Sequence, residues 1–104
     1  MIPKPMRSFM SDVLDNTNSG MIVWHEAADD AYFTTIKDAN LHIRRFFDSD
    51  TGESGFTFRM IRKDKEVTFV VFDHEEEQNF MSDLYSSAGL SSAGGEAFFD
   101  DLFE

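Results

Sequence analysis

The stretch GFTFRMIRKDKEVTFVVF, residues 55–72, decides the fold of this chain. Its two runs, 55–62 and 66–72, are rich in the β-branched and aromatic residues that are typical of strands. Only residues 63–65 separate them. A gap this short permits a hairpin and is far too short for the crossover that parallel strands need. We therefore predict two antiparallel neighbours.

Three similar runs precede this hairpin, at residues 21–27, 31–37 and 41–47. The gaps between them are also short, so residues 21–72 are predicted to form a five-stranded antiparallel meander. Alternation places Leu41 and Ile43 on one face of their strand. The run 66–72 is apolar on both faces, which indicates either a strand covered on both sides or an exposed apolar patch.

Helical patterns flank the predicted sheet. Apolar residues recur at one-face spacing after Ser8, a suitable N-cap, and predict a helix over residues 7–16. Asp73 and Glu76 have the spacing of a capping box and predict a helix over 73–88. Its natural stop is Gly89. Its expected buried stripe consists of Phe80, Met81, Leu84, Tyr85 and Ala88.

The last residues, 95–104, predict a short acidic amphipathic helix. The fold class is therefore α+β in a single domain: an N-terminal helix, a five-stranded meander and two C-terminal helices. Two uses of the last helix follow from its pattern. Its apolar residues either cover the sheet, which we expect, or form a segment that docks on another protein.

Charge is concentrated at the C-terminal end. The chain of 104 residues has a net charge of −11, and residues 73–104 contain nine Asp and Glu but no Lys or Arg. Such a field repels nucleic acid and membrane phosphates and attracts basic protein surfaces, although acidity can also serve solubility alone. There is no cysteine and no apolar stretch long enough for a membrane span, so we expect a cytoplasmic protein.

Few residues indicate chemistry. Asp48, Asp50 and Glu53 share a glycine-containing loop, but their spacing is not that of a calcium loop, and we interpret them as turn residues. The imidazoles of His25 and His42 would have to converge with a carboxylate to bind metal. No serine lies in a nucleophile-elbow context and no glycine loop is suited to phosphate. We expect no enzyme, no cofactor and no metal. A small metal-dependent enzyme is the weakest alternative. The remaining imidazole is His74.

Basic and aromatic residues alternate in the third and fourth runs. This pattern is superficially that of a sheet that stacks single-stranded nucleic acid. Acidic residues interrupt it, and we expect the cations to pair with the acidic helices instead. The cations are Arg44, Arg45, Arg59, Arg62, Lys63 and Lys65.

The motif T-x-x-G-x-I-x-W, from Thr17 to Trp24, resembles a loose group of short uncharacterised bacterial and phage-borne proteins. Leu84, Tyr85 and Ala88 are also similar to that group, whereas Gly89 stands where the group carries arginine. The resemblance implies a layout of helix, sheet, helix and short acidic helix, and a setting of bacterial or phage conflict. It implies no activity, cofactor or catalytic residue.

These observations favour a non-enzymatic binding protein that occupies a basic surface of a protein partner. Its most specific form is an inhibitor that imitates nucleic acid, directed against a nucleic-acid-binding protein. The alternative is an assembly module that oligomerises, for example as a homodimer, through its apolar sheet face and tail. The predicted partner-binding residues are Glu75, Glu76, Glu77, Asp83, Phe98, Phe99, Asp100, Asp101, Leu102 and Phe103.

Overall fold

The computed structural model describes residues 1–103 and has an α+β architecture. One antiparallel sheet contains five strands in the order of the chain, which confirms the predicted meander. The strands are β1 (His25–Ala27), β2 (Ala31–Ile36), β3 (Ala39–Phe47), β4 (Ser54–Arg62) and β5 (Lys65–Phe72). The helices are α1 (Arg7–Asn18) and α2 (Gln78–Ser92), with short 3₁₀ segments at Lys4–Met6 and Gly95–Phe98.

One face of the sheet forms the core. Register places Ile43 opposite Phe58, and Phe58 opposite Phe69, so these side chains share a face and all three are buried. Phe58 and Phe69 stack with ring centroids 5.3 Å apart. Met81 and Leu84 of α2 complete this layer without exposed surface. The predicted alternation in the third strand is therefore confirmed, since Leu41 and Ile43 are both buried on this face.

The predicted first strand is much shorter than expected. Only three of its residues pair with β2. The residues just before β1 contact the helices instead of β2. The backbone N–H of Trp24 donates to Ser91 Oγ of α2 at 2.8 Å. The Trp24 indole is buried and donates to Thr17 Oγ1 at 2.9 Å. Thus α1, α2 and the lead-in to β1 are joined at one tryptophan.

Helix α1 begins where it was predicted and ends two residues later. Ser8 is not its N-cap, since the helix begins at Arg7 and the capping position is occupied by Met6 without a side-chain hydrogen bond. The preceding 3₁₀ turn explains this difference: it leads into the helix directly and leaves no extended residue for a cap. Met10 and Val13 point into the core.

The second helix starts five residues later than predicted and continues past Gly89. The capping box does not form, because the Asp73 carboxylate binds Arg45 and Ser54 instead of the helix end. Gly89 lies inside α2, where a Cβ atom would meet the Tyr32 hydroxyl oxygen at 3.0 Å. This glycine therefore permits close packing of α2 on the sheet and does not end the helix.

The third helix is absent from the described part of the tail. Residues 95–98 form a 3₁₀ turn and residues 99–103 continue in bends and turns, while residue 104 lies outside the described residues. The expectation that the tail covers the sheet is also wrong. Side chains from α1, α2 and Trp24 already fill the inner layer, so no apolar surface there is left to cover.

Candidate functional site

The residues 96–103, called the acidic tail below, project from the end of α2. Gly94 and Gly95 precede this segment with φ of 116° and 65°, a left-handed conformation that glycine adopts without strain. They turn the chain away from the helix axis. The segment contacts α2 but leaves most of its own surface in solvent.

The acidic tail exposes large apolar side chains. Their exposed fractions are 64% for Phe98, 45% for Phe99 and 68% for Leu102, and Phe103 is fully exposed. Isolated exposed apolar residues are ordinary, but four within six positions form a patch of the kind that binds proteins. The carboxylates interleaved with them are also exposed: Glu96, Asp100 and Asp101.

Most of the acidic residues at positions 73–77 contact other parts of this chain. Arg45 donates two hydrogen bonds to Asp73, at 2.6 and 2.8 Å, and the Ser54 hydroxyl donates a third. The Arg45 and Ser54 hydrogen bonds lower the pKa of Asp73 from 3.8 to about 2. Asp73 therefore joins the end of β5 to β3 and β4, and its charge is not available to a partner.

Two glutamates of the same turn are also engaged internally. Glu75 accepts the backbone N–H of Phe72 at 2.7 Å, which lowers the pKa of Glu75, and also contacts the Met1 amino group. Glu77 accepts the N–H of Ile2 at 2.9 Å and pairs with Arg7. Of the predicted partner-binding acids outside the acidic tail, only Glu76 and Asp83 are both exposed and without an ion pair among residues 1–103.

The cations pair mostly within the sheet, which corrects the expectation of pairing with acidic helices. Arg59 contacts Glu66 at 3.2 Å on the neighbouring strand, and Arg62 contacts Asp38 at 2.8 Å. Of the six cations named from the third and fourth runs, only Arg45 pairs with an acid of residues 73–77 within the described part of the chain. Among the described residues, Arg44 has no ion pair.

The sheet surface opposite the helices is the second unusual surface. The sequence indicated its basic residues Arg44 and Arg59 but not their alignment with Phe33 and His42. Register aligns Phe33, His42 and Arg59 directly across β2, β3 and β4. Arg44 lies in the next row, opposite Thr57 of β4. We call this surface the outer sheet face and define it by Phe33, His42, Arg44, Phe46, Arg59 and Val70.

The outer sheet face combines positive charge with apolar surface. Phe33 is 42% exposed, and both Arg44 and Arg59 are exposed, while Phe46 and Val70 are half-buried. Burial lowers the pKa of His42, and the charges of Arg59 and Arg44 lower it further. Arg44 and Arg59 therefore bring positive charge to this surface of a chain whose net charge is −11.

The residues that could hold a metal are not gathered. Phe33 lies between His25 and His42 in the cross-strand row. Within residues 1–103 no three His, Asp or Glu side chains are grouped to bind a metal ion. The loop after β3 forms the predicted turn: Asp48 Oδ1 accepts the N–H of Asp50 at 2.9 Å, and Gly52 donates to the Asp48 carbonyl at 2.8 Å.

Comparison of the chain with protein-family models, with curated proteins and with solved structures finds no match. None of the helices in the described part of the chain has the length and apolar character needed to cross a membrane. The acidic tail and the outer sheet face are therefore the two candidate functional surfaces of this chain.

Proposed function

We propose that this protein is a small, non-enzymatic binding protein whose acidic tail occupies a basic surface of a protein partner. One observation carries the proposal: four large apolar side chains of the acidic tail lie in solvent beside three exposed carboxylates. Burial of each apolar side chain in a groove would contribute about 1.5–3 kcal/mol. The carboxylates would select a groove lined with Lys or Arg.

The form of the acidic tail suits docking. Aromatic residues dominate the energetics of protein interfaces, and three of the four apolar residues are phenylalanines. The two left-handed glycines let the segment leave the body of the protein at an angle. A flexible segment that becomes ordered on binding loses conformational entropy. The free energy gained by burying the apolar side chains of the acidic tail must therefore exceed that entropic cost.

An inhibitor that imitates nucleic acid is the more specific version of the proposal. It requires several carboxylates that are not used internally. Besides the acidic tail, the helix layer offers Asp12 and Asp15 of α1, Asp83 of α2, and Glu76 just before α2, all of them exposed. In this version the carboxylates that imitate phosphates lie on the helices and the acidic tail, because Asp73, Glu75 and Glu77 are engaged in internal contacts.

A comparative pull-down tests the proposal. The tail variant replaces Phe98, Phe99, Leu102 and Phe103 with serine in the otherwise intact chain. A control, the helix-layer variant, carries Asp12→Lys, Asp15→Lys and Asp83→Lys, which alters exposed charge and leaves the tail intact. We expect a basic protein to be enriched from lysate by the wild type and to be lost with the tail variant.

The helix-layer variant distinguishes binding through the acidic tail alone from imitation of nucleic acid. Retention of the partner by the helix-layer variant indicates binding through the acidic tail alone, whereas its loss supports imitation of nucleic acid by helices and tail together. A set of captured proteins that does not change between the wild type and the tail variant contradicts the proposal.

A further inference from the structure

We infer that the basic surface that receives the acidic tail includes the outer sheet face of a second copy of this chain. The inference rests on the proposed function and names one partner for it. The acidic tail and the outer sheet face have opposite charge, and both carry exposed apolar side chains. Each therefore has the character that the other would bind.

The acidic tail and the outer sheet face carry complementary charges. The acidic tail carries three exposed carboxylates and no cation, whereas the outer sheet face carries Arg44 and Arg59. Arg44 has no ion pair among the described residues, and Arg59 shares its charge with Glu66. A carboxylate placed between these arginines would also favour the protonated form of His42.

The apolar parts are complementary as well. Phe33 stands 42% exposed on the outer sheet face, with Phe46 and Val70 half-buried beside it. The phenylalanines of the acidic tail would cover these side chains and would themselves leave water.

The dimensions permit the contact. The acidic tail has eight residues, and an extended segment of that length spans up to about 26 Å. Five strands spaced by about 4.8 Å are about 19 Å across. An opened tail can therefore cross the whole outer sheet face.

A second copy is favoured over the same chain by the position of the acidic tail. Gly94 and Gly95 lie beside the ends of α1 and α2, on the helix side of the sheet, and the outer sheet face is on the opposite side. Two copies can each place a tail on the other, and a twofold dimer then repeats the contact. Repulsion between the two net charges is screened beyond about 8 Å at physiological ionic strength, so local contacts decide.

A charge exchange between two variants tests the inference. The reversed-tail variant carries Glu96→Lys, Asp100→Lys and Asp101→Lys. The reversed-face variant carries Arg44→Glu and Arg59→Glu. Each variant alone places like charges on tail and face, whereas a mixture of the two restores opposite charges at both contacts of a reciprocal dimer.

Sedimentation velocity across a concentration series measures the result. We expect the wild type to shift from one chain to two, each variant alone to stay monomeric, and their equimolar mixture to form a heterodimer. A Glu26→Lys/Asp50→Lys/Asp64→Lys variant and a Lys4→Glu/Lys65→Glu variant are matched controls, which make the same charge reversals at other exposed positions and should dimerise like the wild type. If the reversed-face variant does not fold, Arg44→Glu alone takes its place in the mixture.

Several outcomes would overturn the inference. They are a wild type that stays monomeric at every concentration, a mixture that stays monomeric, and controls that lose the dimer along with the variants. Binding of a labelled oligothymidine that is lost in the reversed-face variant, together with a monomeric wild type, would assign the outer sheet face to nucleic acid. The proposed function would remain supported in each of these cases if the pull-down captured a different basic protein with the wild type but not with the tail variant.

Discussion

Asp73 shows how one side chain can take a role that its sequence position does not suggest. Its place three residues before a glutamate is typical of a helix cap, yet its oxygens bind Arg45 and Ser54. Bidentate pairing with arginine is among the stronger charged hydrogen bonds in proteins. The position of Arg45 on the core-facing side of β3, over the ring of Phe56 at 4.8 Å, decides the outcome.

The Asp73 pair predicts a specific dependence of stability on pH. Its folded pKa of about 2 lies below the ordinary value of 3.8. The stability it contributes is therefore present above pH 3.8 and is lost as the pH falls through about 2. We expect Asp73→Asn to lower the melting temperature at neutral pH and the difference from the wild type to shrink in this acid range.

Circular dichroism melts of the two proteins between neutral and acid pH provide the measurement. Asp100→Asn is the matched control, since Asp100 is exposed and has no ion pair among residues 1–103. Its melting curve should follow that of the wild type at every pH. A constant difference between wild type and Asp73→Asn across the whole range would show that the Arg45 pair does not stabilise the fold.

At the scale of elements, the helices and the sheet close the core without the tail. Trp24 joins α1 through its indole N–H, which donates to Thr17, and α2 through its backbone N–H, which donates to Ser91. The Thr17 hydroxyl in turn donates to the Val13 carbonyl at 2.7 Å. In the described part of the chain no buried side-chain polar atom lacks a hydrogen-bond partner. The elements therefore form a complete unit that ends with α2.

This arrangement predicts that the tail contributes little to stability. The tail variant with four serines should melt within a few degrees of the wild type, because those side chains are exposed in the folded protein. Leu84→Ala is the contrasting variant. It removes a fully buried side chain of α2 and should cost about 2–5 kcal/mol. Chemical denaturation of both proteins measures these changes, and a large loss in the serine variant would show that the acidic tail packs on the body after all.

For the whole molecule, net charge opposes the compact state. The chain carries −11, and like charges spread over a small surface repel each other. The ion pairs of the described residues lie at the surface, with partly exposed side chains, and pairs of this kind contribute little. Repulsion should therefore be the larger electrostatic effect on stability.

We expect added salt to raise the melting temperature, since salt screens this repulsion more than it weakens the few ion pairs. The helix-layer variant is the control. Each of its three Asp→Lys substitutions changes the charge by +2, so the net charge rises from −11 to −5. Its response to salt should be weaker than that of the wild type. Melts over a sodium chloride series test this, and a wild-type melting temperature that falls with salt would mean that the ion pairs dominate.

Local signals were sufficient for most of the fold. Short gaps between β-rich runs predicted an antiparallel meander, and period two predicted that Leu41 and Ile43 of β3 share a face. Both predictions depend on neighbours in the chain. The start of α2 and the role of Gly89 could not be predicted this way. The first depends on Arg45, which lies 28 residues from Asp73, and the second depends on Tyr32 across the core.

The sequence by itself determined the composition of the acidic tail: apolar residues interleaved with carboxylates at the end of an acidic chain. Only the tertiary structure decided that this segment lies in solvent, because the inner face of the sheet is already covered by two helices and a tryptophan. The outer sheet face is also decided only by the tertiary structure. Phe33, His42 and Arg59 are far apart along the chain and become one surface only when three strands pair in register.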